Sequence, residues 1–331
     1  MPSEKAQYLV LQIFSVTFPF FALVLCGYVA ARRGFLPLEA IAGLNGFVLF
    51  FALPCMLFRF GATTPIAQLL DVGVFLIWLV CAIVMVAFTI AMSLNRRIRW
   101  NDASFGALVA AFPNSGFMGV PLLVALLGPA AAGPVICCIL ADMIVTSSLC
   151  VGLAQAQGSS SAGVRVAVGR ALRGALSNPL PWAVGLGAVG SWADMTLLEP
   201  VATIVRMLGD SATPVALFTI GAVLWRAGQH AHSRTPVRRY LPVALIKLLL
   251  HPLLVFTLAA LAHGLGAALS VFQITVLTLA AALPSASNVS LLAERYGADN
   301  GRIARIILSS TALAFVSFTL LAWGLGAAPA V

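Results

Sequence analysis

The chain has 331 residues, of which 19 are Lys or Arg and 10 are Asp or Glu, so 9% are charged, where a soluble domain carries about 25%. Apolar residues make up 61% and the mean hydropathy is +1.04; the apolar stretches recur along the whole length, which excludes a soluble enzyme and a disordered chain and marks a polytopic membrane protein. A formal net charge of +9 would suit nucleic-acid binding in a soluble protein, but here the basic residues fall in short connections between apolar stretches, where they orient the chain in a bilayer.

A helix crossing a hydrocarbon core of about 30 Å needs roughly 20 residues. Cutting the chain at its charged and Gly/Pro-rich breaks predicts spans near 8–31, 38–58, 72–94, 103–127 and 132–156, then 175–192, 197–225, 240–262, 271–293 and 302–326. The first runs well beyond a signal peptide's apolar region and ends at Ala30-Ala31-Arg32-Arg33, so it is kept as a span. The sixth is the least regular, with Asn178, Pro179 and Pro181 near its start. Cys26, Cys55, Cys81, Cys137, Cys138 and Cys150 all lie in apolar stretches without C-x-x-C spacing. Free buried thiols are expected, and no metal site.

With alternate connections assigned to opposite faces, the basic clusters at Arg32–Arg33, Arg96–Arg99, Arg165–Arg173, Arg226–Arg239 and Arg295–Arg305 share one side, and only Lys5 and Arg59 fall on the other. This predicts cytoplasmic odd-numbered connections, both termini extracytoplasmic and an even number of spans. Residues 157–177 begin Gly158-Ser159-Ser160-Ser161 and continue with Arg165, Arg170 and Arg173 among apolar residues. They read as a flexible cytoplasmic linker followed by an interfacial helix. The linker separates a first five-helix repeat, 1–156, from a second, 178–331.

Five spans per half puts the halves in opposite orientation, the arrangement of inverted-repeat carriers. Leu38-Glu39 and Leu198-Glu199 open the second and seventh spans, and at the same offset of 160 residues Pro54, Leu57 and Phe58 match Pro214, Leu217 and Phe218. In the fourth and ninth spans Ala110-Ala111-Phe112-Pro113 matches Ala281-Ala282-Leu283-Pro284, and Val120, Leu122 and Leu123 match Val289, Leu291 and Leu292. Between these matches lie Pro113-Asn114-Ser115-Gly116, with Gly119 and Pro121 further on, and Pro284-Ser285-Ala286-Ser287-Asn288. Proline removes a donor and crowds the preceding turn, so Pro113, Pro121 and Pro284 predict helix breaks near mid-membrane. Freed backbone groups survive at that depth only where protein or a water-filled cavity satisfies them.

Asn114 with Gly116-Phe117-x-Gly119-x-Pro121, Pro284 with Asn288 and Tyr296-Gly297-Ala298-Asp299, and Lys247-x-x-x-His251-Pro252 resemble the auxin efflux carrier family, specifically its bacterial members. The resemblance covers nearly the whole chain. It implies an all-α fold of ten helices with two crossing discontinuous helices, like that of bile-acid and sodium/proton elevator carriers. It further implies transport of small organic anions across the bacterial inner membrane, by a homodimer, without a cofactor beyond a coupling proton or sodium ion. Plant members carry a long central loop; here that connection is short, so regulation through it should be absent.

Asn114 and Asn288 are the first candidates for ligand contacts, because an amide beside each break can donate to a carboxylate at a half-helix N-terminus. Ser115, Gly116, Ser285 and Ser287 flank them, and helix capping is the alternative role for the polar side chains. Lys247 and His251 are i,i+4 on the eighth span and share a face. Lys247 either snorkels to the interface or joins His251 in a proton relay. Asp142, in the middle of the fifth span, is a candidate for a coupling proton or cation, or a partner for Lys247. Arg206 and Asp210, also i,i+4, are expected to pair.

A secondary carrier of small carboxylates, dicarboxylates such as malonate among them, leads the functional readings. A membrane sensor on a transporter fold is the alternative. An intramembrane hydrolase would need Asp142 and Asp210 as a pair, but Met207-Leu208-Gly209 before Asp210 is not the Gly-x-Gly of an aspartyl protease.

Overall fold

The computed structural model describes residues 2–65, 69, 71–156, 169, 173, 177–229 and 235–327, all of them helix or connection apart from one isolated β-bridge. The predicted linker and interfacial helix fall almost wholly outside the described residues. In chain order the helices are α1 (Pro2–Arg32), α2 (Ala40–Thr63), α3 (Val72–Ser93), α4 (Trp100–Ala111), α5 (Ser115–Leu127) and α6 (Pro129–Gln155). There follow α7 (Pro179–Trp192), α8 (Glu199–Gln229), α9 (Leu241–Gly264), α10 (Val271–Ala282), α11 (Val289–Arg295) and α12 (Asn300–Gly324).

Seven of these, α1, α2, α3, α6, α8, α9 and α12, are long and apolar enough to cross a membrane. The fourth and ninth predicted spans are each interrupted, into α4 with α5 and α10 with α11, and the sixth is reduced to the 14 residues of α7. Helix starts follow local chemistry. Asp71 accepts from Val74 N at 3.0 Å to cap α3, and its other carboxylate oxygen accepts from Gln273 Nε2 at 2.7 Å, tying α3 to α10. Ser270 and Gln273 form a reciprocal capping box on α10, and Asp299 caps α12.

Four helices contain a widened π turn: Val48–Ala52 in α2, Ser115–Gly119 opening α5, Asp142–Thr146 in α6 and Ile246–Leu250 in α9. Three of them directly precede Pro54, Pro121 and Pro252. Each proline ring presses on the carbonyl four residues back and offers no N–H to it, so the turn before it opens. This corrects the expectation for Pro121. The backbone stays helical through it, because its missing donor sits in the first turn after the π segment, where the widened turn absorbs the clash.

The helices pack in two sets. In one, α1 lies against α8, and α2 against α7 and α8. In the other, α3 packs on α4 and α6, α9 on α10, and α12 on α9, α10 and α11, while α5 and α12 also touch α1 and α8 and join the sets. The outward surface is apolar: Leu11, Phe18 and Leu25 of α1 and Leu76, Val80 and Ile83 of α3 are exposed, as lipid-facing stripes require.

Glycines set the closest approaches in the first set. A Cβ on Gly27 would run into the Phe218 carbonyl, and one on Gly221 into that of Val24, so α1 and α8 touch backbone to backbone; Gly61 and Gly187 do the same for α2 and α7. Gly209 brings α8 onto the Met56 backbone of α2. That contact explains why the expected Arg206–Asp210 pair is absent. Asp210 instead meets Arg59 Nη1 of α2 at 2.5 Å, and Arg206 Nη2 donates to Thr203 Oγ1 at 3.1 Å. Gly27→Val or Gly221→Val should destabilise the protein by about 1–3 kcal/mol or more, as overpacking does, seen as a lower melting temperature in detergent. Gly43→Ala, where nothing lies within 4 Å of the new Cβ, should leave melting unchanged or raise it.

Candidate functional site

The two breaks meet. Asn114 N donates to Pro284 O at 2.8 Å and Ala286 N to Phe112 O at 3.0 Å, making one antiparallel rung centred on Pro113 and Ser285. Each interrupted helix thus supplies what the other lacks, and the freed backbone groups are paired among buried residues. Asn114 O takes the N–H groups of Met118 and Gly119, and Ser310 Oγ of α12 accepts from Ser285 N at 3.2 Å. A Cβ on Gly119 would meet Leu283, so this glycine lets α5 lie against the other break.

Because backbone groups close the breaks, the amide side chains are free for other work. Neither Asn114 nor Asn288 caps the helix it precedes. Both line a cavity of about 980 Å³, with Pro113, Gly116 and Phe117 beside them. Asn114 is buried, and the side-chain oxygen of Asn288 is buried without a hydrogen-bond partner. Ser115, Ser285 and Ser287 are buried but do not line the cavity; the hydroxyls of the first two have no partner. Pro121 and Pro284 stay off the lining as well.

A second polar centre lies between α3, α6 and α9. Asp142, Lys247, His251 and Trp78 are all fully buried. Asp142 Oδ1 accepts from Thr146 Oγ1 at 3.0 Å, one turn along the π segment that holds both. The indole side chain of Trp78, on α3, interacts with the same carboxyl group. Lys247 does not snorkel to the interface. Its Nζ donates to Ala281 O at 2.6 Å and lies 3.0 Å from His251 Nδ1, close enough to Asp142 to feel its charge but not hydrogen-bonded to it. The His251 ring stacks obliquely on Trp78, centroids 5.5 Å apart, with its Nε2 unpartnered.

Ala281 closes α10 just before its break, so the Lys247 contact runs from this centre to the crossing. Asp210, by contrast, is exposed and engaged by Arg59; the two carboxylates that a hydrolase would need are in different surroundings. Trp78 and Thr146 escaped the sequence reading because an indole and a hydroxyl in an apolar helix carry no signal until a carboxylate is placed beside them. Arg302, counted from sequence among the loop charges, is buried. Its guanidinium donates to the carbonyls of Asp102 and Arg239, filling the space over Gly106.

Comparison with known proteins fits this geometry. The chain matches the model of a family described as "Membrane transport protein" over residues 12–322. It is 30% identical over 318 residues to a Rhizobium meliloti protein named "Putative malonate transporter", covering 93% of this chain and 94% of that one. It is 28% identical over 303 residues to an "Uncharacterized transporter" of Methanothermobacter thermautotrophicus, covering 90% and 93%.

Lys247→Met removes the donor to Ala281 O and the cation near Asp142, and should cost about 3–5 kcal/mol, as breaking a buried charge arrangement does, read as a fall in melting temperature. Adding Asp142→Asn should recover part of that loss. A double variant with the full sum of both losses would show that the two side chains do not interact.

Proposed function

The chain belongs to the membrane transport protein family, which is the auxin efflux carrier family, and from that membership we propose that it is a secondary active carrier of small organic anions. The observation that carries the proposal is the rung at Pro113 and Ser285, with Asn114 and Asn288 facing one cavity beside it. Two amides at a helix crossing can donate to one carboxylate, and the N-terminus of α5 adds partial positive charge. The name of the Rhizobium meliloti relative supports a short dicarboxylate such as malonate as substrate.

In this proposal the chain crosses the inner membrane ten times in two inverted halves, both termini outside. Alternating access arises as the set holding the crossing (α3–α6 and α9–α12) moves against α1, α2, α7 and α8. The glycine-sealed contacts among α1, α2, α7 and α8 suit a rigid frame. Asp142 is the coupling group: a fully buried intramembrane carboxylate close to Lys247 can take a proton or a cation. Lys247, bonded to Ala281 O, relays its state to the crossing.

Proteoliposome uptake of labelled malonate and other carboxylates, with and without proton and sodium gradients, tests this. Accumulation driven by one gradient is expected; a protein that moves no carboxylate under either refutes it. Asn114→Ala or Asn288→Ala should weaken carboxylate binding about 10- to 100-fold, the loss of a hydrogen bond to a charged group, with little change in melting because neither amide caps a helix. Normal affinity with a collapsed melting temperature would make the amides structural. Asp142→Asn should abolish gradient-driven accumulation yet leave counterflow, and wild-type accumulation in that variant would remove Asp142 from coupling.

A further inference from the structure

The cavity is graded from base to rim. Asn288, Leu291, Leu292, Arg295 and Tyr296 all line it, at spacings of three, four, seven and eight residues from the first, so α11 turns one continuous face inward. The amide lies at the inner end of that face, two leucines follow, and a guanidinium lies at the outer end. α6 contributes Met143, Ser147, Val151 and Gln155, also one face at four-residue spacing, with Gln155 at its outer end. Arg173 joins the rim, and among the described residues no Asp or Glu lines the cavity. Arg173 and Arg295 are exposed, and no hydrogen bond or ion pair joins either guanidinium to another described residue.

We infer that this cavity selects doubly charged anions, with Arg295 as the specificity-determining residue that receives a second carboxylate at the rim while Asn114 and Asn288 hold the first. The inference rests on the proposal that these amides bind a carboxylate. Seven residues of helix separate Asn288 from Arg295, an axial distance of about 10 Å. Side chains on a helix lean toward its N-terminus, so an arginine at this position can reach back past Leu291 and Leu292 toward the amide. The remaining gap suits two carboxylates joined by a short methylene chain, whose carbons lie against the leucines and Met143.

That spacing is held in place. Asn101 Nδ2 donates to Tyr296 O at 3.2 Å, the Tyr296 ring packs on Phe105 with centroids 6.0 Å apart, and Ser290 Oγ donates to Asn300 Oδ1 at 2.7 Å. Gly297 then turns the chain away from α11 at φ +67°, a conformation that costs other residues strain. A guanidinium offers a carboxylate two parallel donors, and apolar cavity walls concentrate its field inward. A monoanion held by the amides leaves those donors empty, and its uncharged end gains nothing at the rim.

The test is competition for counterflow in proteoliposomes by succinate and glutarate against butyrate and valerate, in wild type, Arg295→Gln, Arg295→Lys and Asn114→Ala. Arg295→Gln should raise the dicarboxylate concentration needed for half-inhibition about tenfold, the loss of a hydrogen bond between charged groups, and leave monocarboxylates within about twofold. Arg295→Lys should restore part of the dicarboxylate preference. Asn114→Ala should weaken both classes together. If Arg295→Gln weakens both classes equally, or neither, Arg295 does not select and the inference fails while the amide site stands. If no carboxylate competes in wild type, the amide site itself is wrong and the inference falls with it.

Discussion

Everything at the centre of this protein depends on one rung of backbone pairing, between Phe112–Asn114 and Pro284–Ala286. A helix interrupted inside a membrane exposes donors and acceptors worth several kcal/mol each if left bare. One interruption would need a wet cavity or a set of capping side chains. Two interruptions laid across each other satisfy the backbone mutually, at 2.8 and 3.0 Å. The consequence is chemical. With backbone groups closing the breaks, Asn114 and Asn288 have no capping work and keep their hydrogen-bonding capacity for whatever enters the cavity.

The second polar centre is built by different means. Asp142 and Lys247 each lie in a π turn, where the wider helix re-aims side chains that a regular turn would align otherwise. Burying an acid and a base in a dry helical core is expensive, and the fold accepts it while leaving His251 Nε2 without a partner. The hydrogen bond from Lys247 to Ala281 O links this cluster to the end of α10, and so to the rung. Site and candidate coupling centre thus share one strut, while α1, α2, α7 and α8 are sealed separately through glycine.

Much of this was legible in the sequence, for identifiable reasons. Arginine clusters and Gly/Pro breaks set the helix ends within a few residues, because charge and proline cannot be hidden in lipid. Pro113 and Pro284 announced the interruptions, and Asn114 and Asn288 stood out as polar groups beside them. What stayed hidden depends on partners from elsewhere in the chain. Nothing local distinguishes Pro121, which widens a turn, from Pro113, which ends a helix; the difference is the opposing segment at Pro284. Asp210 could not reveal its bond to Arg59, because a glycine on α8 creates the contact with a helix some 150 residues away. The serines flanking the amides read as further hydroxyl donors beside them, yet face into protein because the rung fixes which side of each break meets the cavity.

The central claim is that the crossed breaks present their two amides to one anion. The most direct measurement is an experimental structure at high resolution of the protein soaked with a heavy-atom-labelled short dicarboxylate, such as a bromo-substituted succinate. The account predicts one anomalous peak inside the cavity, with a carboxylate within hydrogen-bond distance of both Asn114 and Asn288. A peak elsewhere, with the two amides bonded to each other or to the backbone, would contradict it.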